Sequence, residues 1–201
     1  MKLLDVLRAE AVRRGLLAET AVIDAATAFH LVRDMPYIRA SSRQPEAIIQ
    51  EWRGTCSGKH YVLKALLAEL GIASRLMACT AVTEIDLADA PPALRPSLEM
   101  GHGRFVDVHN YLILDLPTGE MVVDATWPLA VKGTGLVVNE QFVPDQNQEI
   151  ACTPLQSWVV PADQDPQTYK DYLLTTHFSA EELAARDAFV LAMGSLFQMN
   201  E

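Results

Sequence analysis

Apolar residues recur along the N-terminal part of the chain at the spacing of amphipathic helices, with polar residues between them. Leucines follow this spacing through residues 2–18 and predict a first helix. Thr20 is a candidate cap for a second helix, whose apolar positions begin at Val22. Pro45 suits the first turn of a short third helix. We therefore expect residues 1–35 to be helical additions to a core that starts near Pro45.

The clearest helical pattern in the sequence follows Cys56. Five apolar residues recur at spacings of three and four between Val62 and Leu70, and Gly71 stands where a glycine often ends a helix. This pattern places Cys56 in the first turn of the helix. The apolar run at positions 74–82 then predicts a strand.

Two later segments predict a β-hairpin. Residues 104–114 alternate strongly, residues 121–126 form the expected return strand, and the turn-like sequence DLPTGE separates them. One face of the first strand carries Phe105, Asp107, His109, Tyr111 and Ile113. An even number of residues in the turn, for example with Asp115 paired to Glu120, puts Asp124 opposite Tyr111 and on the face that carries His109.

The remaining segments give weaker patterns. Residues 84–103 hold three prolines and two glycines and predict a long loop, either a lid or binding loop or a tolerated surface insertion. Residues 131–170 predict no clear element. Ser179 and Glu182 form a capping box, so residues 179–199 are expected to be a C-terminal helical addition.

Composition and charge limit the possible functions. The 201 residues are 50% hydrophobic, which fits one globular domain over 1–201 with its core at roughly 45–130. The net charge of −10 argues against a general nucleic-acid binder, which needs a basic surface. Because no apolar run approaches the ~20 residues that span a bilayer, we also expect no membrane partner. The oligomeric state is not predicted.

The cysteines indicate neither a disulfide framework nor a zinc ribbon. There are three of them, and none has the C-x-x-C spacing. His60 follows Cys56 by four residues, and His102 lies near Asp107 and His109, but neither set makes a convincing metal site. We expect no metal, no cofactor and a reducing, cytoplasmic location.

Three residues together indicate thiol chemistry. A helix N-terminus favours a thiolate, the reactive form of Cys56. His109 can accept the thiol proton and later supply one to the leaving group. Asp124, on the predicted return strand, can fix the tautomer and orientation of the imidazole.

In these residues the chain resembles the transglutaminase-like superfamily. The resemblance rests on Gly54-Thr55-Cys56 opening a helix, His109 on a strand and Asp124-Ala125-Thr126-Trp127 on the next strand. It implies an α+β, papain-like core with the Cys-bearing helix packed on an antiparallel sheet, and a catalytic triad of Cys56, His109 and Asp124. Arg53-Gly54-Thr55-Cys56 also resembles the motif of the arylamine N-acetyltransferases, which share this triad order.

These features lead to one main expectation for function. The protein is expected to be a cysteine hydrolase (an amidase or peptidase) or an acyltransferase, acting on a peptide, protein or small amide or acyl substrate through an acyl-enzyme. Hydrolysis is preferred, because nothing in the sequence marks a second-substrate site. The substrate-binding candidates are Arg53, Gly54, Lys59, His102 and Trp127. The alternative is a transglutaminase-like binding or scaffold domain without catalysis.

Overall fold

Seven α-helices and four strands make up the described part of the chain. A computed structural model describes residues 2–198, with side chains as far as residue 195; positions 1 and 199–201, which the predicted ranges include, lie outside the described residues. The helices are α1 (Leu3–Arg13), α2 (Ala25–Arg33), α3 (Pro45–Glu51), α4 (Cys56–Glu69), α5 (Arg95–Met100), α6 (Pro166–His177) and α7 (Ala180–Gln198). The strands are β1 (Ser74–Glu84), β2 (Arg104–Leu116), β3 (Gly119–Val123) and β4 (Gln156–Val159).

The strands form one antiparallel sheet in the order β3-β2-β1-β4. The β2–β3 register pairs Asp115 with Glu120 and Leu112 with Val123, so Pro117 and Thr118 form a two-residue hairpin loop. The expected α+β class and the example pairing of residues 115 and 120 are confirmed.

The chain forms two compact units. The first comprises Met1–Leu76 and Asn110–Ala151, and the second comprises Met77–His109 and Cys152–Glu201. The chain therefore passes between the units within β1 and again within β2. The domain boundaries expected from the sequence stay a prediction.

The first unit is organised around α4. This helix packs against α1, α2 and α3, and it buries residues on most of its circumference. Gly58 makes the approach of α3 possible, because a Cβ there would lie 3.0 Å from Ile48 Cδ1. The completely buried apolar side chains include Leu7, Phe29, Ile49, Leu63, Leu66 and Leu67. Burial of each such side chain is worth about 1.5–3 kcal/mol, so packing rather than helix propensity stabilises α4.

In the second unit, α5 and α7 share an apolar cluster. Ala90, Leu94 and Leu98 are buried, and Phe189 and Met193 of α7 pack against them. The expectation of a loop throughout 84–103 is therefore wrong. Pro96 lies in the first turn of α5, where its missing N–H costs nothing, so it does not break the helix.

Several helix and strand ends differ from the sequence-based expectation for local reasons. The second helix begins at Ala25 rather than after Thr20, because the Asp24 side chain accepts a hydrogen bond from the Thr27 N–H and caps it. The first helix ends at Arg13, well before the predicted position 18. The return strand ends at Val123, so Asp124 directly follows β3.

The C-terminal capping box is confirmed. The Ser179 N–H donates to Glu182 Oε2 (2.9 Å), and the Glu182 N–H donates to Ser179 Oγ (3.2 Å). Within residues 2–198, every helix is too short or too polar to cross a bilayer.

Candidate active site

Cys56 is the first residue of α4, as the sequence predicts. Thr55 precedes it in an extended conformation, and the Lys59 N–H donates to the Thr55 carbonyl (3.0 Å) to close the first helical turn. The side chain is 2% exposed, and its Sγ lies 3.9 Å from Ser57 Oγ. Ser57 Oγ in turn donates to Asn110 Oδ1 (2.8 Å). The thiol therefore lies in a dry, polar environment at a helix N-terminus.

Backbone amides hold the Asp124 carboxylate in the first unit. Oδ1 accepts from the Thr126 N–H (3.0 Å), and Oδ2 accepts from the Ala151 N–H (2.8 Å). The main chain of Asp124 is also held, because its N–H donates to Gln148 Oε1 (2.8 Å) and its carbonyl accepts from Asn139 Nδ2 (2.9 Å). The carboxylate is 2% exposed. Charge-assisted bonds from rigid donors fix its position and stabilise its negative charge.

His60 joins the start of α4 to the segment that follows β3. Its Nδ1 lies 2.7 Å from the Cys56 carbonyl, and its Nε2 accepts the Ala125 N–H (2.9 Å). These bonds fix the neutral tautomer that carries its proton on Nδ1. Nε2 also lies 3.6 Å from Asp124 Oδ1, but that contact is not an ion pair because the Nε2 lone pair already accepts the amide. Both ring nitrogens are bound to backbone, so His60 is a positioning residue and not a base.

Lys59 makes a second connection between the same segments. Its side chain is fully buried, and Nζ donates to the carbonyls of Arg33 (2.8 Å) and Thr126 (2.9 Å). Burial lowers the pKa of Lys59 to about 7, although the Asp34 carboxylate opposes the shift. Lys59 is one of the substrate-binding residues predicted from the sequence. In the structure its ammonium group binds two backbone carbonyls.

His109 belongs to the second unit, where it lies on β2 two residues after Asp107. The ring is 6% exposed. Asp107 Oδ1 binds Arg186 through Nε (2.8 Å) and Nη2 (2.7 Å), and it lies 3.4 Å from Lys170 Nζ. Burial acts to raise the pKa of Asp107, but Arg186 and Lys170 overcome it and hold the value at about 2. Asp107, which lies on the strand face that carries His109, therefore binds two cations.

The other predicted binding residues lie in different surroundings. Arg53 pairs with Glu51 (Nη2–Oε2 2.5 Å) at the surface of the first unit. Gly54 is buried, and an added Cβ would lie 3.2 Å from Lys59 Cγ, so its lack of a side chain makes room for Lys59. The Trp127 ring stacks on Tyr37, with centroids 4.3 Å apart. In the second unit, His102 is exposed, and its Nε2 lies 3.8 Å from Glu181 Oε1.

The sequence analysis missed the roles of His60 and Lys59. Both lie on the helix that begins at Cys56, and a spacing of four brings the His60 ring back to the Cys56 carbonyl. That spacing was visible in the sequence, but it does not show that either side chain is buried. The described residues contain no cluster of three or more His, Cys, Asp or Glu side chains suited to a metal ion.

Comparison of the chain with protein-family models, curated proteins and solved structures finds no match.

Proposed function

We propose that the protein is a thiol-dependent enzyme that acts on an amide or acyl bond. Cys56 is the nucleophile, His109 the general base and acid, and Asp124 the carboxylate that orients the histidine. The proposal includes a transglutaminase-like, papain-like core, in which the Cys-bearing helix packs on the antiparallel sheet. We also place the enzyme in the cytoplasm, where its thiols stay reduced.

The observation that carries the proposal is the set of hydrogen bonds that connects α4 to the segment after β3. The helix that begins at Cys56 binds the 124–126 segment through His60 and Lys59, and this segment positions the Asp124 carboxylate. A nucleophile and a buried carboxylate are thus held by one rigid set of hydrogen bonds, which catalysis requires.

The histidines of the chain support His109 as the base. Both nitrogens of His60 are bound to backbone, and the His102 side chain is 82% exposed. His177 lies on α6 with its ring against Trp158, and His30 lies on α2 with its ring against Phe29. The observed β2–β3 register is also the one used in the sequence argument, in which Asp124 stands opposite Tyr111 with His109 as its diagonal neighbour.

The reaction follows from these roles. His109 takes the thiol proton as Cys56 Sγ attacks the carbonyl carbon, and a carbon–sulfur bond forms. The tetrahedral intermediate collapses, the leaving amine or alcohol takes the proton from His109, and an acyl-enzyme remains. Water, deprotonated by His109, then releases the acid and restores the thiol; with an amine in place of water the product is a new amide.

An acyl-enzyme burst tests the proposal. The full-length protein is mixed with a panel of nitrophenyl esters and anilides, and nitrophenol or nitroaniline release is followed together with intact mass. We expect a burst equal to the protein concentration and an acyl mass on Cys56, both lost in Cys56→Ser. Cys79→Ser is the matched control and should retain the burst. Absence of an adduct with every acyl donor, together with slow iodoacetamide labelling of Cys56 up to pH 8.5, would establish the scaffold alternative.

A further inference from the structure

Two cysteines that the proposed reaction does not use lie together in the second unit. Cys79 Sγ and Cys152 Sγ are 3.8 Å apart, although the residues are separated by 73 positions in the chain. The structure holds both as thiols. Two thiols in contact can be joined by oxidation.

The backbone differs on the two sides of the pair. Cys79 is fixed on β1, where it pairs with Ser157 of β4, and the Leu155 N–H donates to the Thr80 carbonyl (2.8 Å). Cys152 lies in a bend before β4, outside regular secondary structure. A disulfide needs the sulfur atoms to approach to about 2.05 Å, a movement of about 2 Å. The bend at Cys152 can supply this movement by rotation of its side chain and local backbone adjustment, while β1 stays in place.

The two thiols differ in access to solvent. Cys79 is completely buried, whereas Cys152 is partly exposed. A small oxidant therefore meets Cys152 first, and Cys79 is held where it can attack the oxidised sulfur.

We propose that Cys79 and Cys152 form a reversible redox site for a small hydroperoxide. The Cys152 thiolate attacks the peroxide oxygen, so the O–O bond breaks, Cys152 becomes a sulfenic acid and one water or alcohol leaves. The Cys79 thiol then attacks the Cys152 sulfur, forms the S–S bond and expels a second water that carries its proton. The peroxide is reduced by two electrons, and both thiols together are oxidised by two. A dithiol reductant restores the starting state.

The disulfide would be a covalent cross-link within the second unit. It would join β1 to the segment before β4 and close a long loop of the unfolded chain, so it should stabilise the oxidised protein against unfolding. The site does not depend on the proposed acyl chemistry.

The test uses the full-length Cys56→Ser protein, in which the proposed nucleophile is absent. After treatment with stoichiometric hydrogen peroxide, we expect a mass loss of two hydrogens, a cross-linked peptide containing Cys79 and Cys152, and full reversal by dithiothreitol. The thermal midpoint of the oxidised form should rise by about 5 °C or more. Adding Cys152→Ser should abolish all three results.

Single replacement separates the roles of the two sulfurs. Adding Cys79→Ser should leave a sulfenic acid on Cys152 that dimedone traps. The proposal is overturned if peroxide takes Cys152 to the sulfinic acid while Cys79 stays reduced, or if disulfides form only between molecules. A dimedone adduct on Cys79 in the Cys152→Ser protein, with none on Cys152 in the Cys79→Ser protein, would overturn the order of attack.

Discussion

Each of the two compact units buries one aspartate, and the two carboxylates are held in opposite ways. Asp124, in the first unit, accepts hydrogen bonds from the backbone amides of Thr126 and Ala151. Asp107, in the second unit, is bound by the side chains of Arg186 and Lys170. Backbone amides are neutral donors, so these two bonds add no formal positive charge beside the Asp124 carboxylate. Asp107 instead lies in a cluster of charged side chains, because Arg186 and Lys170 bind its carboxylate and Arg186 also pairs with the exposed Asp187.

Under the proposed function, this difference is the one expected between a carboxylate that acts in catalysis and one that holds the fold together. A carboxylate that orients a catalytic histidine must offer negative charge to an imidazolium, and the Asp124 arrangement retains that charge. Asp107 instead joins β2 to α6 and α7 through Lys170 and Arg186. Such a buried ion cluster adds little net stability compared with apolar packing, but removing one member leaves charges buried without compensation.

The largest expected effect is the loss of turnover when Asp124 is replaced. Asp124→Asn should lower turnover on the order of 10⁴-fold, because an amide cannot stabilise an imidazolium. The side-chain NH₂ would also face one of the two backbone donors, at a cost of about 1–3 kcal/mol in folding free energy. Turnover should therefore be measured with the best acyl donor on protein shown to be folded by circular dichroism.

Asp107→Asn is the matched control for turnover. Per folded molecule, its turnover should stay close to that of the wild type. If Asp107→Asn abolishes turnover while Asp124→Asn retains it, the roles assigned to the two carboxylates are reversed and the triad is wrong.

The second expected effect is on stability at Asp107. Asp107→Asn should lower the free energy of unfolding by about 3–5 kcal/mol, because the buried Arg186 and Lys170 lose the carboxylate that binds them both, although Arg186 keeps its pair with the exposed Asp187. The folded pKa of about 2 lies below the ordinary value of 3.8, so the stabilisation from ionised Asp107 is present above pH 4 and is lost as the pH falls towards 2. Urea unfolding at pH 7, 4 and 3 measures this. A variant as stable as the wild type at pH 7 would show that the ion cluster is not what anchors α6 and α7.

The parts of the fold that the sequence predicts correctly depend on local signals. The helix after Cys56 has apolar residues at regular spacing and a terminal Gly71 with φ of +79°. The β2–β3 register follows from strand alternation and turn length, and the α7 start follows from the Ser179–Glu182 box. In each case a signal carried by neighbouring residues is enough to predict the element, although packing against other helices stabilises α4.

The parts of the fold that the sequence does not predict depend on contacts between residues that are far apart in the chain. The strand β4 is four residues long and pairs with β1, far away in the chain. In α6, the buried Lys170 interrupts the apolar face, and its Asp107 partner, which is distant in the chain, helps to explain the burial. Lys59 and His60 have the polarity of solvent-facing residues, yet both are fully buried because backbone groups of other segments bind them. For the site, the sequence supplied the candidate triad but not the residues that hold it together.

A third effect tests whether apolar packing also anchors the second unit. Leu98→Ala should lower the free energy of unfolding by about 2–5 kcal/mol, since Leu98 is 1% exposed within the α5–α7 cluster. Leu87→Ala, at a partly buried position beside the same cluster, should cost clearly less. Denaturant unfolding of both variants measures the difference. Equal stability of the two variants, with an altered substrate affinity for Leu98→Ala, would favour the lid or binding-loop alternative for residues 84–103.

The smallest effect concerns how the first unit responds to pH through Lys59. Its folded pKa is about 7, against an ordinary value of 10.5, so between pH 7 and about 10.5 the unfolded chain holds a proton that the folded protein lacks. The contribution of Lys59 to stability therefore rises with pH in this window, by at most about 1.4 kcal/mol per unit, and is constant below it.

Lys59→Met removes this titration while keeping the length of the side chain. The variant should be less stable at every pH, because the carbonyls of Arg33 and Thr126 lose their donor. Its deficit relative to the wild type should grow from pH 7 to pH 9, when measured by urea unfolding. Lys64→Met, on the exposed side of the same helix, is the matched control and should leave the pH dependence unchanged. A deficit for Lys59→Met that is the same at pH 7, 8 and 9 would mean that Lys59 stays protonated throughout, and that the ammonium stabilises the site as a permanent charge.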